Sequence, residues 1–254
     1  MNSESNLKSI IEKFAPISLE QMDGVKLMRR TDTKFVFNVE LLPELLSRAS
    51  DNYYMVEINN LREQVYQTTY FDTPDYSMYT SHHNGKLNRC KIRIRKYVCS
   101  NQEFLEVKRK NNHGETIKNR IVRPNSEEQI DVNGSKKFLE KYTPFGHQLL
   151  CPKLGNQFIR LTLVNKDLTE RITLDYNLNF TDIKYNKNIS ANGVCIAEIK
   201  KDKNSKKSPF ITNLNEMRIR PSGFSKYCIG LAMLKNPEIK LNLFRQKVRA
   251  IEKI

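Results

Sequence analysis

The sequence predicts an α+β fold, an antiparallel, closed β-barrel of about eight strands with helices packed outside it. The first observation is that eight or nine segments alternate charged or small polar side chains with bulky aliphatic ones, which is the two-residue period of a β-strand. The second is that most of these segments follow one another in hairpin order. The third is that about five helical segments have enough apolar surface to cover the aliphatic faces, so that the charged faces point inward. A barrel of about eight strands leaves room for side chains or for one ligand.

The densest positive charge lies in residues 86–123, which hold twelve Lys/Arg against three Glu. In CKIRIRKY, the basic residues Lys91, Arg93 and Arg95 alternate with two isoleucines, so one strand face is cationic and the other apolar. The same alternation recurs in EFLEVKRK and TIKNRIV, whose polar faces carry Glu106, Lys108, Lys110, Lys118 and Arg120. Three neighbouring strands thus form a wall of cations that repel one another. We therefore expect a phosphate-rich ligand to bind there.

The elements before this basic stretch are short. Apolar residues at helical spacing predict an amphipathic helix over 4–14. A capping-box pattern at 18–21 predicts a further helical turn or two. The segment 31–37 alternates as a strand, and 39–48 is expected to be a helix with Asn38 as its N-cap.

The remaining elements follow from the same patterns. Strands are expected at 53–58, from 64 to a turn at 72–75, at 157–164, 169–180 and 194–201, and at 180–185. Helices are expected at 135–145, 225–234 and 237–253. Residues 146–155 are expected to be a loop, and 200–209, which has no apolar residue, a mobile loop. The whole chain, 1–254, is interpreted as a single domain.

Composition restricts the function classes. The net charge is +15 and the isoelectric point about 9.6, which favours an anionic partner such as nucleic acid, an acidic membrane or a phosphate compound. Five scattered cysteines with no metal-ligand spacing indicate reduced thiols and a cytoplasmic protein. The N-terminus lacks the apolar core of a signal peptide. No apolar run approaches 18 residues, so no transmembrane segment is expected.

Nine short motifs, taken together, are typical of one family. They are RRTDTKFVF (29–37), YFDTPDYSMY (70–79), KIRIRKY (91–97), FLEVKRK (104–110), TIKNRI (116–121), QFIRLTL (157–163), ERITLD (170–175), AEIK (197–200) and FSKYCIG (224–230). Over about residues 15–235 the chain resembles the VTC (vacuolar transporter chaperone) polyphosphate polymerase domain, within the CYTH-like triphosphate tunnel metalloenzyme superfamily. The resemblance implies a tunnel that binds ATP, triphosphate and polyphosphate with Mn²⁺ or Mg²⁺. It also implies transfer of the terminal phosphoryl group of ATP onto a growing polyphosphate chain.

The resemblance further implies the residues of the site. The residues expected to contact phosphate during catalysis are Arg93, Arg95, Lys108, Arg160, Arg171 and Lys226. Further binding of phosphate or ATP falls on Lys34, Arg30, Lys118 and Lys200, and the metal-binding acid falls on Glu198. The strand alternation, read without the resemblance, places most of these residues on charged faces. Asp175 could bind metal or pair with Arg171 and its neighbours, and we favour pairing.

One departure from the superfamily pattern bears on the reaction. Many members begin with an ExExK motif whose carboxylates hold metal, whereas this chain has RTDTK at 30–34. Fewer carboxylates should weaken attack by metal-activated water, which favours polymerisation over hydrolysis. The SPX domain and membrane helices of VTC proteins are not found in this sequence, so no partner protein is named.

Three other functions remain open. The same fold could hydrolyse inorganic triphosphate or polyphosphate, or could bind polyphosphate without turnover. Nucleic-acid binding would suit the charge, but the basic strands lack the exposed aromatic residues that base stacking uses. No nucleic-acid partner is therefore expected.

Overall fold

A large, mostly antiparallel β-sheet organises the chain. The structure, a computed structural model, describes residues 3–23, 30–113, 115–123, 135–145 and 150–254. Within these ranges it contains eleven strands and eight α-helices, so the α+β class is confirmed. None of the described helices has both the length and the apolar character needed to cross a membrane.

The strands and helices have the following bounds. The strands are β1 (Ala15–Ile17), β2 (Arg30–Asn38), β3 (Tyr53–Val56), β4 (Gln64–Asp72), β5 (Arg89–Tyr97), β6 (Gln102–Lys110), β7 (Thr116–Arg123), β8 (Cys151–Asn165), β9 (Glu170–Asp182), β10 (Lys187–Ala191) and β11 (Val194–Asp202). The helices are α1 (Ser3–Glu12), α2 (Leu19–Asp23), α3 (Leu42–Ala49), α4 (Ser77–His83), α5 (Ser135–Tyr142), α6 (Pro209–Glu216), α7 (Lys226–Met233) and α8 (Asn242–Ile251).

The sheet curls, but its hydrogen bonds do not close it. Its main path runs β2-β11-β9-β8-β4-β5-β6-β7, with β1, β3 and β10 attached at the side. Lys108 on β6 interacts electrostatically with Glu198 on β11 and Lys34 on β2, although these strands lie far apart along the path. The two ends of the sheet therefore approach each other. No hydrogen-bonded pairing joins β2 to β7 among the described residues, so the closed barrel that we expected is not confirmed.

The two faces of the sheet are covered by different helices. The outer face is aliphatic and packs against α1, α3 and α6 on one side, around Leu161 and Leu174, and against α5 on the other, around Ile92 and Leu105. Helix α7 instead packs against the inner face, around Phe158 and Phe180, and α8 packs on α7 in the same core. The expectation that all helices lie outside the sheet is wrong for α7, because part of the inner face is itself aromatic and aliphatic.

Helix α7 lies very close to the inner face. A Cβ atom at Gly230 would lie 2.6 Å from Phe180 Cδ1 and 2.9 Å from Leu154 Cδ2. Only a residue without a side chain permits this approach. Every residue of α7 except Lys226 at its start is buried.

The motif at 70–79 joins β4, α4 and α7. The side chain of Asp72 is fully buried. It accepts hydrogen bonds from the backbone N–H groups of Thr73, Met78 and Tyr79, each at 2.8 Å, and from the Tyr227 hydroxyl at 2.6 Å. The carboxylate thus satisfies donors at the start of α4 and fixes α7 to the end of β4.

Several boundaries differ from those predicted. Strand β8 begins at Cys151, within the expected loop 146–155, of which 146–149 lie outside the described residues. In the expected mobile loop 200–209, β11 continues to Asp202 and α6 begins at Pro209. The segment expected as a strand over 180–185 is the end of β9, followed by a turn. Helix α8 begins at Asn242 rather than Pro237, because 237–239 form a turn. Of the helix expected over 39–48, residues 39–41 form a 3-10 turn and α3 follows from Leu42; Asn38 caps the turn, since its side chain accepts a hydrogen bond from the Glu40 N–H.

Candidate functional site

The charged side chains of the main strands share the inner face of the sheet, which we call the cationic groove. Cross-strand register pairs many of them: Lys34 is opposite Glu198, Lys200 opposite Arg171, Arg160 opposite Asp175, Arg93 opposite Glu106, and Lys108 opposite Lys118. Between β8 and β5, strand β4 places Gln64 opposite Arg160 and Tyr70 opposite Arg93. Side chains directly opposite on neighbouring strands point the same way. Arg30 and Arg95 have the same strand parity as Lys34 and Arg93, and Lys226 reaches the same face from α7 by pairing with Asp175. All eleven residues nominated from the sequence thus face the groove: Arg30, Lys34, Arg93, Arg95, Lys108, Lys118, Arg160, Arg171, Lys200, Lys226 and Glu198.

On the β5-β6-β7 side, Glu106 holds two cations in place. This carboxylate is 1% exposed. It accepts a hydrogen bond from Arg93 Nε at 2.6 Å and forms an ion pair with Lys118. Burial alone would raise the pKa of Glu106, but Arg93, Arg95 and Lys118 outweigh it and lower the pKa to about 2. Glu106 is therefore ionised at neutral pH, and it positions both cations instead of being available to a metal ion.

On the β8-β9 side, Asp175 has the same role. Arg160 donates to it through two nitrogens, at 2.5 and 2.7 Å. Lys226, at the start of α7, pairs with the same carboxylate. Burial opposes ionisation, but Arg160 and Lys226 hold the pKa of Asp175 well below its ordinary value. The expected pairing of Asp175 is thus seen, with Arg160 and Lys226 as the partners that the structure shows.

Aromatic rings support the guanidinium groups in the middle of the groove. The guanidinium carbon of Arg95 lies 5.3 Å from the centre of the Tyr66 ring, and that of Arg160 lies 4.9 Å from it. The Lys226 ammonium lies 4.4 Å from the centre of the Phe158 ring. Cations over ring faces are attracted by the ring quadrupole. These contacts hold three like charges close together without consuming the hydrogen bonds that a phosphate would need.

Glu198 is the inward carboxylate most available to a metal ion. Its oxygens lie 3.8 Å from Lys34 Nζ and 4.0 Å from Lys200 Nζ, and it accepts no hydrogen bond from any described residue. Burial would raise its pKa, but Lys200 and Lys34 outweigh that and lower the pKa to about 2. Among the described residues, no group of three or more His, Cys, Asp or Glu could hold a metal ion by itself. Oxygen ligands suit Mg²⁺ and Mn²⁺, and Mg²⁺ is commonly bound by one or two carboxylates together with substrate phosphates.

Besides the acids Glu106 and Asp175, two more charged groove residues were not nominated as site residues. Asp32 lies opposite Lys200 and is ion-paired with Arg30 at 3.0 Å, so it is a second acid near Glu198. Lys91 donates from its ammonium to Ser225 Oγ at 3.0 Å. Both could have been found from the alternation of their own strands. The resemblance did not single them out, although Lys91 lies on the predicted basic face.

Backbone and side-chain groups just before α7 accept hydrogen bonds from two lysines of the groove. Lys34 donates a hydrogen bond to the Phe224 carbonyl at 3.3 Å. The Ser225 hydroxyl accepts one from Lys91 and is also the N-cap of α7, where it accepts a hydrogen bond from the Cys228 N–H. Burial lowers the pKa of Lys226 to about 8, with Arg160 adding to the effect and Asp175 opposing it. The ammonium therefore loses its charge more readily than an exposed lysine would.

Comparisons with known proteins agree with this geometry. The profile of the VTC domain family matches residues 29–235. A putative adenylate cyclase from Bacillus halodurans is similar in structure, with 12% identity, a TM-score of 0.51 and coverage of 78% of this chain and 94% of that one. A putative adenylyl cyclase from Hippeastrum, described as having a dominant triphosphatase activity, shows 14% identity, a TM-score of 0.50 and coverage of 84% and 98%. No curated protein matches the sequence.

Proposed function

Because this chain belongs to the VTC domain family, we propose that it is a polyphosphate polymerase that transfers the terminal phosphoryl group of ATP to the end of a polyphosphate chain. The observation that carries the proposal is the cationic groove, in which Arg93, Arg95 and Arg160 are already oriented by carboxylates, a hydroxyl and aromatic rings. Phosphoryl transfer depends chiefly on positioning and on neutralising charge. Cations held in place before binding need no reorganisation when the transition state forms.

The reaction requires no strong general base. A terminal oxygen of the acceptor chain is already anionic and attacks the γ-phosphorus of ATP. The bond between that phosphorus and the bridging oxygen breaks, and the electron pair leaves with ADP. Arginines bind phosphate oxygens through a planar fork of donors, and lysines bind them as point charges. Glu198 would hold a divalent metal ion, Mn²⁺ or Mg²⁺, which when bound neutralises part of the phosphate charge.

The second candidate is hydrolysis of triphosphate. The similar structure from Hippeastrum, whose description reports triphosphatase activity, favours it. Hydrolysis needs a group that activates water, and the buried acids Glu106 and Asp175 are both neutralised by cations. Glu198 is then left to bind metal. This distribution of charge supports transfer to a phosphate acceptor over transfer to water.

One incubation distinguishes the candidates. The full chain is mixed with ATP labelled at the γ-phosphate and with Mn²⁺ or Mg²⁺, and the products are separated on a gel. A ladder of long phosphate chains supports polymerisation, orthophosphate alone supports hydrolysis, and unchanged ATP with measurable binding supports a non-catalytic binder. The Arg93→Ala variant should lose at least about a hundredfold in rate, the scale of one electrostatic donor. Arg48→Ala, at an exposed position on α3, which covers the outer face of the sheet, is the matched control and should keep the wild-type rate.

A further inference from the structure

A second polar cavity lies outside the cationic groove, at the ends of β8, β9 and β11. It has a volume of about 160 Å³, well above the ~10–15 Å³ that one water molecule needs. We call it the rim pocket. The residues that matter for its charge are the lysines and acids Lys166, Lys201, Lys206, Lys207, Asp167 and Glu170. Ser205, Ser208 and Thr169 add hydroxyl groups to its wall.

Glu170 is the unusual member of this pocket. It is 2% exposed, and its Oε1 accepts hydrogen bonds from the Tyr53 hydroxyl at 2.6 Å and from Ser208 Oγ at 3.0 Å. The other oxygen, Oε2, is buried and has no hydrogen-bond partner among the described residues. A buried acceptor left without a donor is destabilising by roughly 1–3 kcal/mol. Burial raises the pKa of Glu170, although Tyr53, Ser208 and Lys201 act in the opposite direction.

The rim pocket and the cationic groove lie on opposite faces of the sheet, next to each other at the same ends of β9 and β11. Lys201 is opposite Glu170 in the register of β11 and β9, and the adjacent pair, Lys200 and Arg171, is opposite on the same two strands. Successive residues of a strand point to opposite faces. The pair Lys200 and Arg171 therefore points into the groove, and the pair Lys201 and Glu170 points into the rim pocket.

We propose that the rim pocket binds inorganic hydrogen phosphate, which still carries a proton at neutral and mildly alkaline pH. The lysines and hydroxyl groups supply positive charge and donors for the unprotonated oxygens. Glu170 Oε2 accepts the P–OH proton. This site is separate from the groove and does not rest on the proposed polymerase activity.

The carboxylate makes the pocket selective. Sulfate has the same shape and charge as hydrogen phosphate but carries no proton, so one of its oxygens would face the Glu170 carboxylate without a donor between them. A diester such as dimethyl phosphate also lacks the proton. The lysines alone would bind all three ions according to charge, and only Glu170 distinguishes them.

Calorimetry on the full chain tests this proposal. Orthophosphate, sulfate and dimethyl phosphate are each titrated at pH 8, where hydrogen phosphate retains one proton. Orthophosphate should bind at least about tenfold more tightly than sulfate, a difference of 1.4 kcal/mol. In Glu170→Gln the amide can donate to sulfate, so the preference should fall to near unity. Methyl phosphate, whose second pKa is about 6, has no P–OH proton at pH 8 and should bind as weakly as sulfate; binding as tight as that of orthophosphate would overturn the role of Glu170.

A further variant tests the proposal even if the Glu170→Gln protein does not fold. Lys206 and Lys207 are exposed, so their double replacement by alanine should leave the fold intact and weaken orthophosphate binding at least about tenfold. Lys136 and Lys137, exposed on α5, form the matched control pair and should not affect it. A Lys108→Ala variant, which alters only the groove, should also retain the phosphate preference. Equal affinity for sulfate and phosphate in the wild type, or unchanged phosphate binding in the Lys206 and Lys207 variant, would overturn the proposal.

Discussion

Replacing Arg160 by alanine should reduce both activity and stability, and the two effects should be separable. Arg160 forms two hydrogen bonds with Asp175, which is 3% exposed. Removing one partner of a buried ion pair typically destabilises a protein by about 3–5 kcal/mol. Lys226 still pairs with Asp175, so we expect the lower end, about 3 kcal/mol. For a chain of this size that loss corresponds to a decrease in melting temperature of roughly 6–12 °C.

The variant Arg160→Lys separates the roles. It keeps a positive charge beside Asp175, so most of the lost stability should return, while turnover should remain low because lysine lacks the planar fork of donors that binds phosphate oxygens. Thermal unfolding and the labelled-ATP gel are measured on the same preparations, with Arg48→Ala as control. The reasoning is refuted if Arg160→Ala melts at the wild-type temperature, or if Arg160→Lys has wild-type activity.

Three further predictions concern the fold, the groove and its pH dependence. Asp72→Ala should lower the free energy of unfolding by more than about 4 kcal/mol, measured in urea, because four buried donors lose their acceptor; a loss below 1 kcal/mol would contradict this. Tripolyphosphate at about 100 times its Kd should stabilise the protein by about 2.7 kcal/mol, or roughly 5–11 °C in melting temperature, with the shift shrinking at high salt; no shift at millimolar ligand would count against the groove. Lys226 has a pKa of about 8 in the folded protein against 10.5 ordinarily, so the unfolded chain binds more protons between these values and this group makes the free protein more stable as the pH rises through 8. Tripolyphosphate affinity should fall over the same range as the charge is lost, whereas Lys226→Arg should keep its affinity at pH 9; equal pH profiles for both proteins would exclude the titration of Lys226.

Side-chain alternation was enough to predict the inner face of the sheet. The alternating residues of β5 lie opposite those of β6 in the expected sense, so Arg93 meets Glu106 and Ile92 meets Val107. Alternate residues of a strand share one face whatever the rest of the chain does, so the faces predicted from the sequence are the faces seen in the folded protein. Parity does not reveal which carboxylates are neutralised by arginine and which are available, because that depends on contacts between strands. Glu106, Asp175 and Glu198 look alike in the sequence and differ only in their cross-strand partners.

Other features required information about distant packing. The motif at 70–79 helped to identify the family, yet its acid, Asp72, binds the start of α4 and the hydroxyl of Tyr227, which lies 155 residues further along the chain. The position of α7 on the inner face could not be predicted either. Its residues are apolar all round, so periodicity indicates that the helix is buried without indicating which face of the sheet buries it.

The contact between Gly230 and the sheet links core packing to the chemistry of the groove. The first residue of α7 is Lys226, one helical turn before Gly230, so any shift of the helix away from Phe180 would carry that ammonium away from Asp175. A single methyl group at Gly230 would therefore act at a distance, displacing a phosphate-binding charge without touching the phosphate. Turnover could in this way be adjusted, by selection or by engineering, through residues that never meet the substrate.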